Sequence, residues 1–250
     1  MEIVTWLRRL RPDLVCLQEV IDDGAGRNQA RWLAEAAGDY HVAFGGAPLP
    51  GGTGAFGNAV LSRWPVEAEQ TLDLHHEPRA DDIQRVVLHA RTNRIDVFSV
   101  HLNWRFDDGH IRERQVVELA GFVADQSDGT APMPPIVAGD FNADPDSNEI
   151  RYLCGLAAVD GHSAYFHEAW RLAGGAGPGW TWDNRNPFAA AAGEPDRRID
   201  YVFSGWRPNL PAGRPETCRV VCDRALTGTF ASDHLGLLAT LADPSEILPI

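Results

Sequence analysis

The stretch Pro135-Ile136-Val137-Ala138-Gly139-Asp140-Phe141-Asn142 is a short apolar run that ends on a glycine and a carboxylate. It is too short for a helix and has the character of a buried strand. A carboxylate at the end of such a strand is costly unless a partner, a metal ion or a reaction requires it there. The same pattern recurs along the chain. Residues 14–18 form an apolar strand leading to Glu19, residues 95–100 deliver His101, and residues 199–203 carry Asp200. One such residue is usually a structural hydrogen-bonding group. Four of them, joined by Asp233-His234 just before the apolar run 235–241, point to a site assembled at strand ends.

Outward from these strands the pattern is strands, a few helices and many loops. Ile3, Trp6, Leu7 and Leu10 have helical spacing over residues 2–11, and Pro12-Asp13 stops that helix. Further helices are expected over 28–37 and 111–124, and Asp146 with Glu149 has capping-box spacing for a short one. The Gly- and Pro-rich residues 45–57 read as a mobile loop, with a strand following over 58–62. The runs 86–90 and 95–100 form a hairpin around Thr92-Asn93-Arg94. Residues 132–135 and 187–195 read as loops, as do His75-His76 and Asp81-Asp82. Short strands that end in polar residues predict an α/β (α+β) fold, a two-layer β-sandwich flanked by helices.

Composition narrows the function. The chain has 250 residues, 44% of them hydrophobic, which fits one domain over residues 1–250. No apolar run reaches the roughly 20 residues needed to span a bilayer, so no membrane insertion is expected. The first residues lack the pattern of a secretory signal, and a cytoplasmic location is expected. The formal net charge of −13 disfavours long duplex nucleic acid, while a single phosphate or a strand end is compatible with it. All 22 basic residues are arginine, which excludes Schiff-base, P-loop-lysine and Ser-Lys chemistry. Cys16 lies in an apolar run, and Cys218 and Cys222 do not have zinc-site spacing.

The segments Leu17-Gln18-Glu19-Val20, Gly57-Asn58-Ala59-Val60-Leu61-Ser62-Arg63, His101-Leu102, Gly139-Asp140-Phe141-Asn142, Arg198-Ile199-Asp200-Tyr201-Val202-Phe203 and Ser232-Asp233-His234 resemble, in order, the endonuclease/exonuclease/phosphatase superfamily. The resemblance runs from about Trp6 to Leu241. It implies a DNase I-like fold and a phosphodiesterase, nuclease or phosphatase dependent on Mg²⁺ or Mn²⁺. By resemblance, Glu19 binds the metal and Asp233 is a metal ligand or supports it. Asp140 orients and deprotonates the attacking water, with Asn142 fixing water or phosphate. His234, held by Asp200, contacts the phosphoryl oxygens, and His101 contacts the phosphate or assists the leaving group. Arg198 and Trp182 are candidate substrate contacts. Thr181-Trp182-Asp183 together with Ser232-Asp233-His234 is similar to the corresponding pieces of tyrosyl-DNA phosphodiesterases.

Three substrate classes fit: a nucleic-acid end, a phospholipid head group and a small phosphoester. The rival reading is a non-catalytic or weakly active member acting as a binding protein. It is motivated by one departure. The superfamily places a strand carrying an Asn upstream of the metal-binding Glu, whereas the eighteen residues before Glu19 read as the helix that follows that strand. Two explanations compete: the true start lies upstream of Met1, or the chain is naturally short, in which case metal affinity should fall.

Overall fold

The computed structural model describes residues 1–77, 83–208 and 210–244, so Asp81-Asp82 lie outside the described residues. The chain begins with α1 (Glu2–Leu10), β1 (Leu14–Asp22), α2 (Gln29–Ala37), β2 (His41–Pro48), β3 (Ala55–Ser62) and β4 (Val66–Asp73). It continues with β5 (Val86–Thr92), β6 (Ile95–His101), α3 (Gly109–Gln126), β7 (Ile136–Asp140) and α4 (Asn148–Leu153). The last elements are β8 (Phe166–Glu168), α5 (Ala169–Ala173), α6 (Pro187–Ala190), β9 (Asp200–Gly205), β10 (Pro215–Val221) and β11 (Gly236–Leu241).

Two sheets carry the architecture. One is three-stranded in the order β1-β3-β2, the other six-stranded in the order β4-β5-β6-β7-β9-β8, and β10-β11 form a separate ribbon. Alternating side chains give each strand two usable faces, and three apolar clusters show how those faces are spent. Ala43 and Val60 of the first sheet meet Leu88, Ala90 and Val97 of the second, which makes the sandwich interior. On the outer face of the first sheet, Leu7 of α1 and Ala30 and Ala34 of α2 cover Val20, Ala59 and Leu61. On the outer face of the second, Val116, Leu119 and Phe122 of α3 cover Val87, Phe98, Val100, Phe141 and Phe203. The result is the expected sandwich with helices on both sides.

Local chemistry explains most boundaries. Asn28 caps α2, its side chain accepting from the backbone N–H groups of Ala30 and Arg31, a contribution of about 1 kcal/mol. The β5–β6 hairpin turns through Asn93 and Arg94 at φ 48° and 59°, the left-handed pair that a two-residue turn needs to match strand twist.

Three expectations are corrected. Residues 45–57 are strand at both ends, β2 running to Pro48 and β3 beginning at Ala55, so the expected loop is confined to residues 49–54. Gly45, Gly46, Gly54 and Gly57 serve close approach: a Cβ on Gly57 would stand 2.0 Å from the Gly45 carbonyl oxygen. The cap of α4 is Ser147, not Asp146, and Glu149 is used elsewhere, in an ion pair with Arg112. Residues 187–190 form the short helix α6, which Asn186 caps and Pro187 opens. Among the described residues no helix is long and apolar enough to cross a membrane.

Candidate active site

The strand pairing decides the site. β6 and β7 run parallel with His101 opposite Asp140, and β7 and β9 run antiparallel with Asp140 opposite Asp200. Three polar strand-end residues far apart in sequence therefore stand in one row across neighbouring strands, which lie about 4.8 Å apart. The ladder continues one step beyond the row, the Leu102 N–H donating to the Asp140 carbonyl and the Phe141 N–H to that of Ile199.

The Gly139-Asp140-Phe141-Asn142 motif is dictated by space. Gly139 has φ 147°, and a Cβ there would fall 2.0 Å from the Val100 carbonyl oxygen, so no other residue fits. Phe141 is fully buried and packs edge-on against Tyr201 and Phe203, which anchors the turn. Asn142 takes φ 49°, a left-handed conformation that asparagine tolerates. Its N–H donates to Asp140 Oδ1 at 2.8 Å and its Nδ2 to the Leu102 carbonyl at 3.2 Å.

Asp140 is 6% exposed and is flanked by two imidazoles, His101 Nε2 at 3.4 Å and His234 Nε2 at 3.9 Å from its Oδ2. Burial, reinforced by Asp200, outweighs the neighbouring cations and pushes its pKa up to about 7. His234 Nδ1 meets Asp200 Oδ2 at 2.9 Å. Burial opposes the imidazolium there, but Asp200, then Asp140 and Asp233, overcome it and raise the pKa to about 10. His101 goes the other way: burial, then the charges of Arg85 and His234, hold its pKa well below the ordinary histidine value. Arg85 Nη1 lies 3.0 Å from His101 Nδ1. A guanidinium only donates, so Nδ1 is the acceptor and Nε2–H faces Asp140. The row and His234 together thus hold a neutral imidazole donor, a carboxyl group poised to change protonation near neutrality, and an imidazolium.

The Thr181-Trp182 motif and a residue that sequence reading passed over, Asn186, complete the cluster. The Thr181 hydroxyl accepts from the N–H groups of Ile199 and Asp200, both at 3.1 Å, and its carbonyl accepts from Leu235 at 2.7 Å. Asn186 is fully buried and donates to the Ser232 and Asp233 carbonyls at 2.8 and 2.9 Å, which pins the loop carrying His234. Trp182, 7% exposed, packs its ring edge-on to that of His234 at 5.0 Å. An Asn directly ahead of a Pro, the spacing of a helix N-cap, was the only sequence signal for Asn186, and Arg85 had none.

The remaining predicted residues fall differently. The Arg198 guanidinium is buried, pairs with Glu168 at 3.0 Å and stacks on Tyr201. Its neighbour Arg197 holds the Asn142 carbonyl at 3.1 Å and Asp144 at 3.1 Å. Asp233 is exposed, and its Oδ1 is engaged by Ser232 Oγ and the His234 N–H.

Glu19 is exposed and lies at a register shift between β1 and β3, at φ 58°. Such a conformation costs a non-glycine residue about 1–3 kcal/mol. The preceding Gln18 reaches across the sandwich to Ser99 Oγ at 3.1 Å and packs beside Gly139, so Glu19 emerges next to the Asp140 end of β7. Among the described residues no group of three or more His, Cys, Asp or Glu side chains is close enough to hold a metal by itself. The donors fit a hard cation bound through one carboxylate, with water and substrate oxygens filling the shell, as Mg²⁺ is commonly held. They do not form the closed N/S cage of structural zinc.

A profile of the Endonuclease/Exonuclease/phosphatase family matches residues 2–234. The protein YbhP of Escherichia coli K12, described as uncharacterized, is 32% identical over 149 residues, 54% of this chain and 56% of that one. The match thus spans about half the length of that relative. Among solved structures, a functionally unknown conserved protein from Enterococcus faecalis is 20% identical with a TM-score of 0.70, covering 96% of this chain and 89% of that one. D. rerio TDP2, solved with a single-strand DNA product, is 18% identical with a TM-score of 0.67, covering 95% and 88%. At these identities the structural likeness speaks for the fold.

Proposed function

This chain belongs to the endonuclease/exonuclease/phosphatase family, and on that premise we propose that it is a divalent-metal-dependent hydrolase of phosphoester bonds. The family is one of phosphoester hydrolases. The single observation that carries the finer reading is the row His101–Asp140–Asp200 with His234 closing over it, in which burial and charge push Asp140 and His234 toward different protonation behaviour.

Asp140 takes the proton of the attacking water, its second oxygen held by the Asn142 N–H. His234, kept as imidazolium by Asp200, donates through Nε2 to the phosphoryl oxygens, where charge grows in the transition state. His101, with its tautomer set by Arg85, donates to the phosphoryl or leaving oxygen. Glu19 would hold Mg²⁺ or Mn²⁺, with Asp233 supporting it, and the ion would neutralise phosphoryl charge. In this reading residues 1–250 act as a single catalytic domain in the cytoplasm, where four free thiols are at home.

The test is hydrolysis of an activated phosphodiester, bis(p-nitrophenyl) phosphate, and of the matching monoester, with Mg²⁺ or Mn²⁺ and with chelator. Metal-dependent turnover supports the hydrolase. Equal, background-level rates in all conditions on both esters would favour the rival, a binding protein that keeps the fold.

A further inference from the structure

The loop between β6 and α3 contains two large rings in solvent, Trp104 at 44% and Phe106 at 56% exposure. Surface aromatics on a slack loop need no explanation, but this loop is not slack. Its residue Asn103 donates its N–H to Gln115 Oε1 at 2.9 Å and accepts the Arg105 N–H at its own Oδ1 at 2.9 Å. Arg112 donates from Nη1 to the Asn103 and Arg105 carbonyls, and its Nε is locked to Glu149 at 2.8 Å in a pair buried on both sides. Asp108, fully buried, closes the loop with its N–H on the Arg105 carbonyl. A scaffold that fixes two exposed rings gains nothing from hydrophobic burial of those rings.

Each ring stacks on a guanidinium: Arg105 lies 4.7 Å from the Trp104 centroid and Arg197 4.5 Å from that of Phe106. Arg197 is only 6% exposed and donates to the Asn142 carbonyl at 3.1 Å. Phe106 is therefore one side chain away from the Asp140–Asn142 turn, spread over the cation that braces it. The loop itself starts immediately after His101.

We propose that Trp104 and Phe106 form a stacking platform for the bases that flank the scissile phosphate, which makes short single-stranded nucleic acid the substrate class. This rests on the hydrolase reading of the adjoining row and specifies its substrate. Flat rings backed by arginine are the sequence-tolerant device by which proteins hold single strands. Stacking also suits a chain of net charge −13, which cannot draw its affinity from neutralising many phosphates. A bilayer is the less fitting occupant. Phe106 lies on Arg197 and offers a face where a membrane anchor offers a wedge, and the acidic balance repels an anionic surface.

The experiment measures affinity in Mg²⁺ on the Asp140→Asn background, for fluorescein-labelled hexathymidylate and for an abasic oligomer with the same phosphates. The expected result is tighter binding of the base-bearing oligomer, with Trp104→Ala and Phe106→Ala each shrinking that preference about tenfold. Trp104→Phe and Phe106→Tyr should retain it. Equal affinity for the two oligomers, or a preference untouched by the alanine variants, overturns the platform. So does loss of binding to phosphatidylcholine–phosphatidylserine vesicles in the alanine variants with the oligonucleotide preference intact. Failure of the hydrolase reading looks different: a wild-type protein that cleaves no phosphoester whether or not the base preference is present.

Discussion

The two sheets present their candidate site residues in opposite ways. On the six-stranded sheet, His101, Asp140 and Asp200 share one row, are tied to their neighbours by bonds of 2.8–3.4 Å, and rest on a packed aromatic cluster. On the three-stranded sheet, Glu19 stands exposed at a bulge on β1, and among the described residues that strand pairs on one side only and no hydrogen bond holds the Glu19 carboxylate. The first side is preorganised, and preorganised dipoles act on a transition state without reorganising. The second is a strained backbone presenting a bare hard-oxygen donor, which suits capture of a cation that keeps most of its water. The difference predicts that damage to the first side lowers turnover while damage to the second lowers metal affinity.

The largest effect is expected from Asp140→Asn, which removes the proton acceptor and keeps the shape. Turnover of bis(p-nitrophenyl) phosphate should fall about 10³-fold, within the usual range for a general base. A loss under tenfold would break the assignment. Next, His234→Ala should cost about 10²–10³-fold, as loss of one charge-stabilising donor does. Because Asp200 acts through that ring, Asp200→Asn combined with His234→Ala should cost no more than His234→Ala alone. Additive losses would show that Asp200 has a separate task.

Glu19→Gln tests the other side. The metal concentration for half-maximal rate should rise about 10–100-fold, with turnover at saturating metal much less affected. An equal fall in turnover at all metal concentrations would erase the contrast between the two sides.

The pH profile sharpens it. Asp140 must be deprotonated to act, and its pKa is raised to about 7, so the rate should climb as pH rises through about 7. His234 must stay protonated, and its pKa is raised to about 10, so the rate should fall as pH rises through about 10. His234→Ala should abolish the alkaline limb and keep the acidic one. The two groups interact, so the limbs report the pair. The smallest expected effect is that of Thr181→Val, which deletes the hydroxyl that the Ile199 and Asp200 N–H groups use. It should lower turnover about tenfold, and stability by about 1–3 kcal/mol through the unpaired buried amides.

Much of the row was legible because strand ends are local events. An apolar run that stops on a carboxylate or imidazole can be read from adjacent letters, and His101, Asp140 and Asp200 were found that way. Asp233-His234 came from a short polar motif. Asn186 and Arg85 were missed, and the task of the Thr181 hydroxyl was not read from its motif, because each matters through a partner 16 or more residues away. The strand glycines Gly45, Gly46 and Gly57 were misread for the same reason. Composition makes Gly and Pro look like loop, and only the neighbouring strand reveals that Gly57 is needed where a Cβ would strike Gly45.

By itself, the sequence determined the strands that carry the row, where polar groups interrupt them, and that the chemistry of these residues proceeds without lysine. Those are consequences of short-range periodicity and residue type. Register was decided by the tertiary structure alone: a one-residue slip of β6 on β7 would separate His101 from Asp140 and turn one of them to the other face. Local burial and charge then set the protonation of each group, since the same carboxyl or imidazole titrates differently according to what surrounds it.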